Sequence, residues 1–174
     1  MHRRAFIAFA CGAAFTACPT ALRAAADWAS VKRTIRNRYP EVRQLSTDEL
    51  YAILPSPDAP LLIDARSLPE YRVSHLKGAR RAENASQAIE ALADTRKDRP
   101  IVVYCSVGYR SAALAQELAR RGYTRVANLE GSIFEWANKG YPVYRGSDRV
   151  RVVHPYDSSW GTLLEGRLWS TGQP

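Results

Sequence analysis

The sequence predicts an α/β fold, a central parallel sheet with helices on both faces, preceded by an N-terminal helix and followed by a C-terminal extension. Three observations carry this reading. Short apolar runs alternate along the chain with helical patterns, as they do when helices form the crossovers of a parallel sheet. The run Ile101-Val102-Val103-Tyr104 is apolar throughout, the mark of a strand covered on both sides. The length of 174 residues, with 46% hydrophobic and 24% charged side chains, suits one small core.

Taken in order, residues 27–39 place Trp28, Val31 and Ile35 at helical spacing and stop at Pro40, which predicts an amphipathic lead-in helix. Residues 42–45 read as a short strand. Ser46-Thr47-Asp48-Glu49 is a capping box that opens a helix to about Leu54. A loop over 55–60 leads to a strand at 61–64, a short helix at 68–73 and another at 85–93, before Lys97-Asp98-Arg99-Pro100. The strand at 101–104 runs into a glycine-containing loop. Ser111 then reads as the N-cap of a helix through Leu114, Ala115 and Leu118, with Gly122 after Arg120 and Arg121 as its stop. The tail carries Val150, Val152, Val153, Tyr156, Trp160, Leu163, Leu164, Leu168 and Trp169, too much apolar surface for a disordered linker. It is expected to pack back, either as a strap over an exposed face or as a surface that shapes the mouth of a site or docks a partner. The division that results is a signal at 1–26, a lead-in at 27–41, a main domain at 42–143 and an extension at 144–174.

Residues 1–26 have the build of an export signal: His2-Arg3-Arg4, an apolar run over 5–20, then Ala24-Ala25-Ala26 before Asp27. A periplasmic protein beginning near Asp27 is expected, exported by the Sec or the twin-arginine route, since Arg3-Arg4-Ala5-Phe6-Ile7 resembles part of a twin-arginine signal. The apolar run is short for a membrane span, so no stable insertion is expected after cleavage; an uncleaved anchor or a lipid-modified Cys18 are the alternatives. Cleavage would remove Cys11 and Cys18 and leave Cys105 as the only cysteine, which excludes an internal disulfide and a Cys-x-x-Cys oxidoreductase mechanism. His75 and His154 sit in no ligand-like cluster, so neither a metal nor another cofactor is expected. The net charge of +8 becomes +5 without Arg3, Arg4 and Arg23, with 22 basic against 17 acidic residues. That balance suits small anions, and no basic run with interleaved aromatics points to nucleic acid.

Cys105 stands where a buried strand meets a loop and a helix start. Partial positive charge at a helix N-terminus and along a concave row of N–H groups lowers a thiol's pKa, so a reactive thiolate is expected there. A free cysteine is also at home as a small core side chain. The polar and cationic neighbours Ser106-Val107-Gly108-Tyr109-Arg110-Ser111 favour the reactive reading.

Tyr-Cys-Ser-Val-Gly-Tyr-Arg-Ser resembles the active loop of rhodanese-like sulfurtransferases, Cys-x-x-Gly-x-Arg-Ser. Leu62-Ile63-Asp64-Ala65-Arg66, with Glu70-Tyr71 and His75-Leu76-Lys77-Gly78-Ala79, resembles that family's upstream signature. Asn128-Leu129-Glu130-Gly131-Ser132-Ile133, with Trp136 and Gly140-Tyr141-Pro142-Val143, resembles its closing segment. The resemblance implies a rhodanese-like fold and a sulfur transfer in which Cys105 takes sulfane sulfur from thiosulfate or another small anionic donor and passes it to a thiol or cyanide, or to a protein acceptor. An interaction or sulfur-carrier module serving a dedicated partner is the alternative. A phosphatase or arsenate reductase on the same scaffold would use a loop one residue longer between cysteine and arginine. The N–H groups of Ser106, Val107, Gly108, Tyr109 and Arg110 would stabilise the developing anion. Arg110 is suited either to a bidentate contact with a donor's sulfonate or to a salt bridge with a nearby carboxylate. Asp64, Arg66, Glu70 and His75 are expected to hold the loops by hydrogen bonds and ion pairs, and Trp136 to be a core aromatic.

Overall fold

The computed structural model describes residues 27–172; the expected signal with Cys11 and Cys18 lies outside them. Five parallel strands, β1 (Arg43–Leu45), β2 (Leu61–Asp64), β3 (Arg80–Arg81), β4 (Ile101–Tyr104) and β5 (Val126–Leu129), form one sheet in the order β1-β5-β4-β2-β3. Six helices surround it: α1 (Trp28–Arg38), α2 (Thr47–Ile53), α3 (Leu68–Val73), α4 (Ala85–Ala91), α5 (Tyr109–Arg120) and α6 (Ser132–Asn138). The α/β fold with a central parallel sheet is therefore as the sequence predicts.

Alternation along β4 sorts the core into two layers. Val102 and Tyr104 face a cluster with Ile35, Leu50, Phe134 and Trp136, from α1, α2 and α6. Ile101 and Val103 face Ala88, Leu114, Ala115 and Leu118, from α4 and α5. At about 25 cal/mol per Å² of apolar surface, such two-sided burial drives the fold. The chain crosses from β2 to β3 on one side and from β4 to β5 on the other. The loops after β2 and β4 thus diverge and open a crevice at the carboxyl ends of those strands, the usual place for a site in an open α/β sheet.

The caps follow local chemistry. Asp27 accepts the Ser30 N–H at 2.9 Å to start α1, and Ser46 with Glu49 completes the capping box of α2. Four features carry weak sequence signals. β3 is two arginines at the sheet edge. β5 has a buried asparagine, Asn128, within it. α6 begins at a left-handed Ser132 with no side-chain cap. An antiparallel hairpin of β6 (Val143–Arg145) and β7 (Asp148–Val150) opens the C-terminal segment. Beyond it, Val153, Leu163, Leu164 and Leu168 enter the core layer of Phe134 and Trp136.

Candidate active site

The site is built on the turn from β4 into α5. One expectation is corrected here: α5 starts at Tyr109 with Gly108 as its N-cap, so Ser111 lies inside the first turn and does not cap it. Gly108 takes φ +113°, and a Cβ there would meet Ile35 Cδ1 at 3.3 Å, so only glycine fits without strain. The start of α6 pins the loop from below. The Ser132 hydroxyl accepts the Cys105 N–H at 3.1 Å, and the N–H groups of Ile133 and Phe134 donate to the carbonyls of Cys105 and Ser106. With those carbonyls turned away, the loop's N–H groups are free to face inward.

Cys105 is buried and its Sγ accepts the Gly108 N–H at 3.2 Å. Burial pushes the thiol's pKa up, but the Arg110 charge and the Ser111 and Gly108 donors outweigh it and hold it below its ordinary value. The Ser111 hydroxyl lies 3.5 Å from Sγ and 2.6 Å from Asn128 Oδ1. It has one proton, and a chain of fixed polarity assigns it: Gln44 donates to the Val42 carbonyl, Asn128 donates to Gln44 at 2.7 Å, and Asn128 Oδ1 is left to accept from Ser111. The Gly108 N–H is thus the firmer contact to sulfur. Asn128 and Gln44 stand behind the thiol from the next strands, a support that the sequence motif alone does not reveal.

Arg110 makes a bidentate pair with Glu70, at 3.0 and 2.7 Å, and donates to the Ser106 hydroxyl at 3.0 Å. Of the two readings open for Arg110, the structure places it on the carboxylate. Burial raises the Glu70 pKa, yet Arg110 and the Ser67 hydroxyl and N–H bring it down to about 2. Glu70 is held in turn by the capping box it forms with Ser67 at the head of α3. Deeper in the crevice Arg66 pairs with Asp64 at 2.9 and 2.7 Å and donates to the Ser74 carbonyl at 2.6 Å. His75 stacks on Tyr71 with ring centroids 4.0 Å apart, contacts the Tyr71 carbonyl through Nδ1, and bridges Tyr144 through its backbone. Trp136 is buried and donates to the Pro142 carbonyl.

Above the thiol lies a cavity of about 160 Å³ lined by Cys105, Ser106, Val107, Tyr109, Arg110, Tyr156 and Trp160. Tyr156 and Trp160 come from the C-terminal segment, whose tyrosine ring covers the Arg110 guanidinium at 4.8 Å. A larger hollow of about 710 Å³ sits at the amino ends of the strands, where arginines such as Arg96 are paired with acids such as Asp98. Cys105 is not among its lining residues. Among the described residues no group of three or more His, Cys, Asp or Glu side chains could hold a metal.

Comparison with known proteins places this geometry. A family model described as Rhodanese-like domain matches residues 46–139. A tRNA uridine(34) hydroxylase of Escherichia coli O139:H28 is 35% identical over 109 residues, 57% of this chain and 31% of that protein. The chain thus spans about a third of the length of the curated relatives it matches. A rhodanese-related protein from Thermoplasma volcanium is 26% identical with a TM-score of 0.51, covering 59% of this chain and 98% of that one. The polysulfide-sulfur transferase homodimer of Wolinella succinogenes shares the fold at 24% identity, with a TM-score of 0.52 and coverage of 67% and 88%. With more than half its length matched and its thiol at the carboxyl end of the central strand, the chain belongs to the rhodanese-like domain family.

Proposed function

We propose that the protein is a sulfurtransferase that carries sulfane sulfur as a persulfide on Cys105. The observation that carries this reading is a buried thiol whose Sγ accepts the Gly108 N–H at 3.2 Å and which shares its cavity with the Arg110 side chain. The family match supports the same chemistry. The Cys105 thiolate attacks the sulfane sulfur of a donor such as thiosulfate. The Sγ–S bond forms as the donor's S–S bond breaks, and its electron pair leaves with sulfite. A thiol or cyanide acceptor then attacks the outer sulfur and regenerates the thiolate. The Gly108 N–H, already on Sγ, is placed to stabilise the anion, as an oxyanion hole does for oxygen. Arg110 acts by its charge on the thiolate, with Glu70 holding the guanidinium in place. The composition of residues 1–26 supports an exported, periplasmic form starting near Asp27, which N-terminal sequencing of the native protein would show.

The test is mass. Incubation with thiosulfate leaves the wild type one sulfur atom heavier, cyanide removes that atom as thiocyanate, and Cys105→Ser gains nothing while keeping its circular dichroism. Hydrolysis of an aryl phosphate through Cys105, with no sulfur uptake from any donor, would replace this reading with a phosphatase.

A further inference from the structure

The cavity over Cys105 is lined by three aromatic rings, and two of them lie outside the segment that the family model matches. Tyr109 is braced edge-on by Tyr39 at 5.6 Å. Tyr156 lies over Arg110, and Trp160 completes the wall. Tyr156 adopts φ +67°, a left-handed conformation that costs a non-glycine residue free energy and is held here by its N–H donating to His154 Nδ1 at 3.0 Å. Tyr156 is nevertheless 47% exposed, so core packing does not account for its position. Trp160 is oriented by Asp157, which accepts its backbone N–H at 2.8 Å.

The charge at the mouth tells against a small inorganic dianion. The Arg110 guanidinium gives two hydrogen bonds to Glu70 and one to Ser106 and is roofed by Tyr156, so its charge is already matched by a carboxylate. A donor with two negative charges would approach a thiolate with that compensation already used. A donor with one charge and a planar apolar body would meet less repulsion and would gain ring contacts with Tyr109, Tyr156 and Trp160. The size agrees, because an apolar cavity of about 150 Å³ takes up benzene.

We propose that Tyr156 and Trp160 form a specificity subsite, and that the preferred sulfur donor is a monoanionic organic sulfane compound with an aromatic or comparable apolar body. This rests on the sulfur-transfer reading above. With an aryl thiosulfonate, the Cys105 thiolate bonds to the sulfane sulfur, the S–S bond to the sulfonyl group breaks, and its electron pair leaves as the arenesulfinate. No external oxidant or reductant enters.

The test compares benzenethiosulfonate with methanethiosulfonate, which share charge and reacting group and differ in the body. The wild type is expected to favour the aryl donor in kcat/KM by about tenfold, the size of one or two aromatic contacts. Tyr156→Ala, at an exposed position, should bring the ratio close to one, and Tyr156→Phe should keep it. A wild-type ratio near one, or a ratio unchanged in Tyr156→Ala, overturns the subsite. Benzenesulfinate should also protect Cys105 from iodoacetamide where methanesulfinate does not, and Tyr156→Ala should lose that protection. If no donor loads Cys105 the sulfurtransferase reading fails, while protection still upholds the subsite; no protection overturns the subsite as well.

Discussion

Two bidentate arginine–carboxylate pairs stand in the same crevice, and they differ in one respect. Arg66 and Asp64 are fully buried, at 0% side-chain exposure each, whereas Arg110 is 35% exposed over a Glu70 at 3%. The inner pair is closed on itself: Arg66 also donates to Ser74, packs toward the Tyr104 ring, and has one nitrogen, Nη1, without a partner. The outer pair opens onto the cavity, and the charge of its arginine reaches the Cys105 thiol. The same two side-chain types therefore serve as a brace where water is excluded and as an electrostatic device where one face stays open. Burial, not residue identity, sets the role.

The largest effect should come from breaking the brace. Arg66→Met leaves Asp64 buried without its partner and is expected to cost about 3 to 5 kcal/mol in urea denaturation. Adding Asp64→Leu should recover much of the loss, since a buried pair often exchanges for apolar side chains at little cost. A double variant as unstable as the single would show that the brace is needed as a pair.

Glu70→Gln is expected to cost less, about 1 to 3 kcal/mol, because Arg110 can turn to water. Its pH dependence has a defined sign. The Glu70 carboxyl is depressed from 4.5 to about 2, so its contribution is full above pH 4.5 and is lost as pH falls through 2. The stability gap between wild type and Glu70→Gln should narrow over that window, and a constant gap would contradict the assignment.

The smallest of the three effects is kinetic. Arg110→Met should raise the thiol's pKa and slow iodoacetamide alkylation at pH 7 by about tenfold, in keeping with roughly 1.5 kcal/mol for a charge-assisted contact. Arg66→Met should leave the pH profile of that reaction in place. If both variants moved it equally, the division of labour between the pairs would fail.

What the sequence shows of this site is what is local. The β4 strand, the glycine of the loop and the capping box at Ser46 depend on residues a few positions apart, and α2 follows from such short-range signals. Ser111 misleads for the same reason: a serine before an apolar helical run looks like a cap, while the helix starts earlier because Gly108 can hold φ +113°. Partners that meet only in the fold stay hidden. Arg110 finds Glu70 across the crevice between the loops after β2 and β4, and Asn128 reaches Ser111 from a neighbouring strand. Tyr156 is invisible as a site residue because its place depends on how the C-terminal segment returns over the sheet.

That return has a definite shape. Val153 accepts the Ser170 N–H and donates its own to the Leu168 carbonyl, so the backbone entering and leaving residues 154–167 meets at one base. Tyr156 and Trp160 ride on a loop with closed ends, a form whose length and sequence can change at small entropic cost while its anchor is kept. On the proposed subsite, donor choice and sulfur chemistry would be inherited on separate pieces of chain, and a new selectivity would arise by exchange of one surface loop with the cysteine turn untouched.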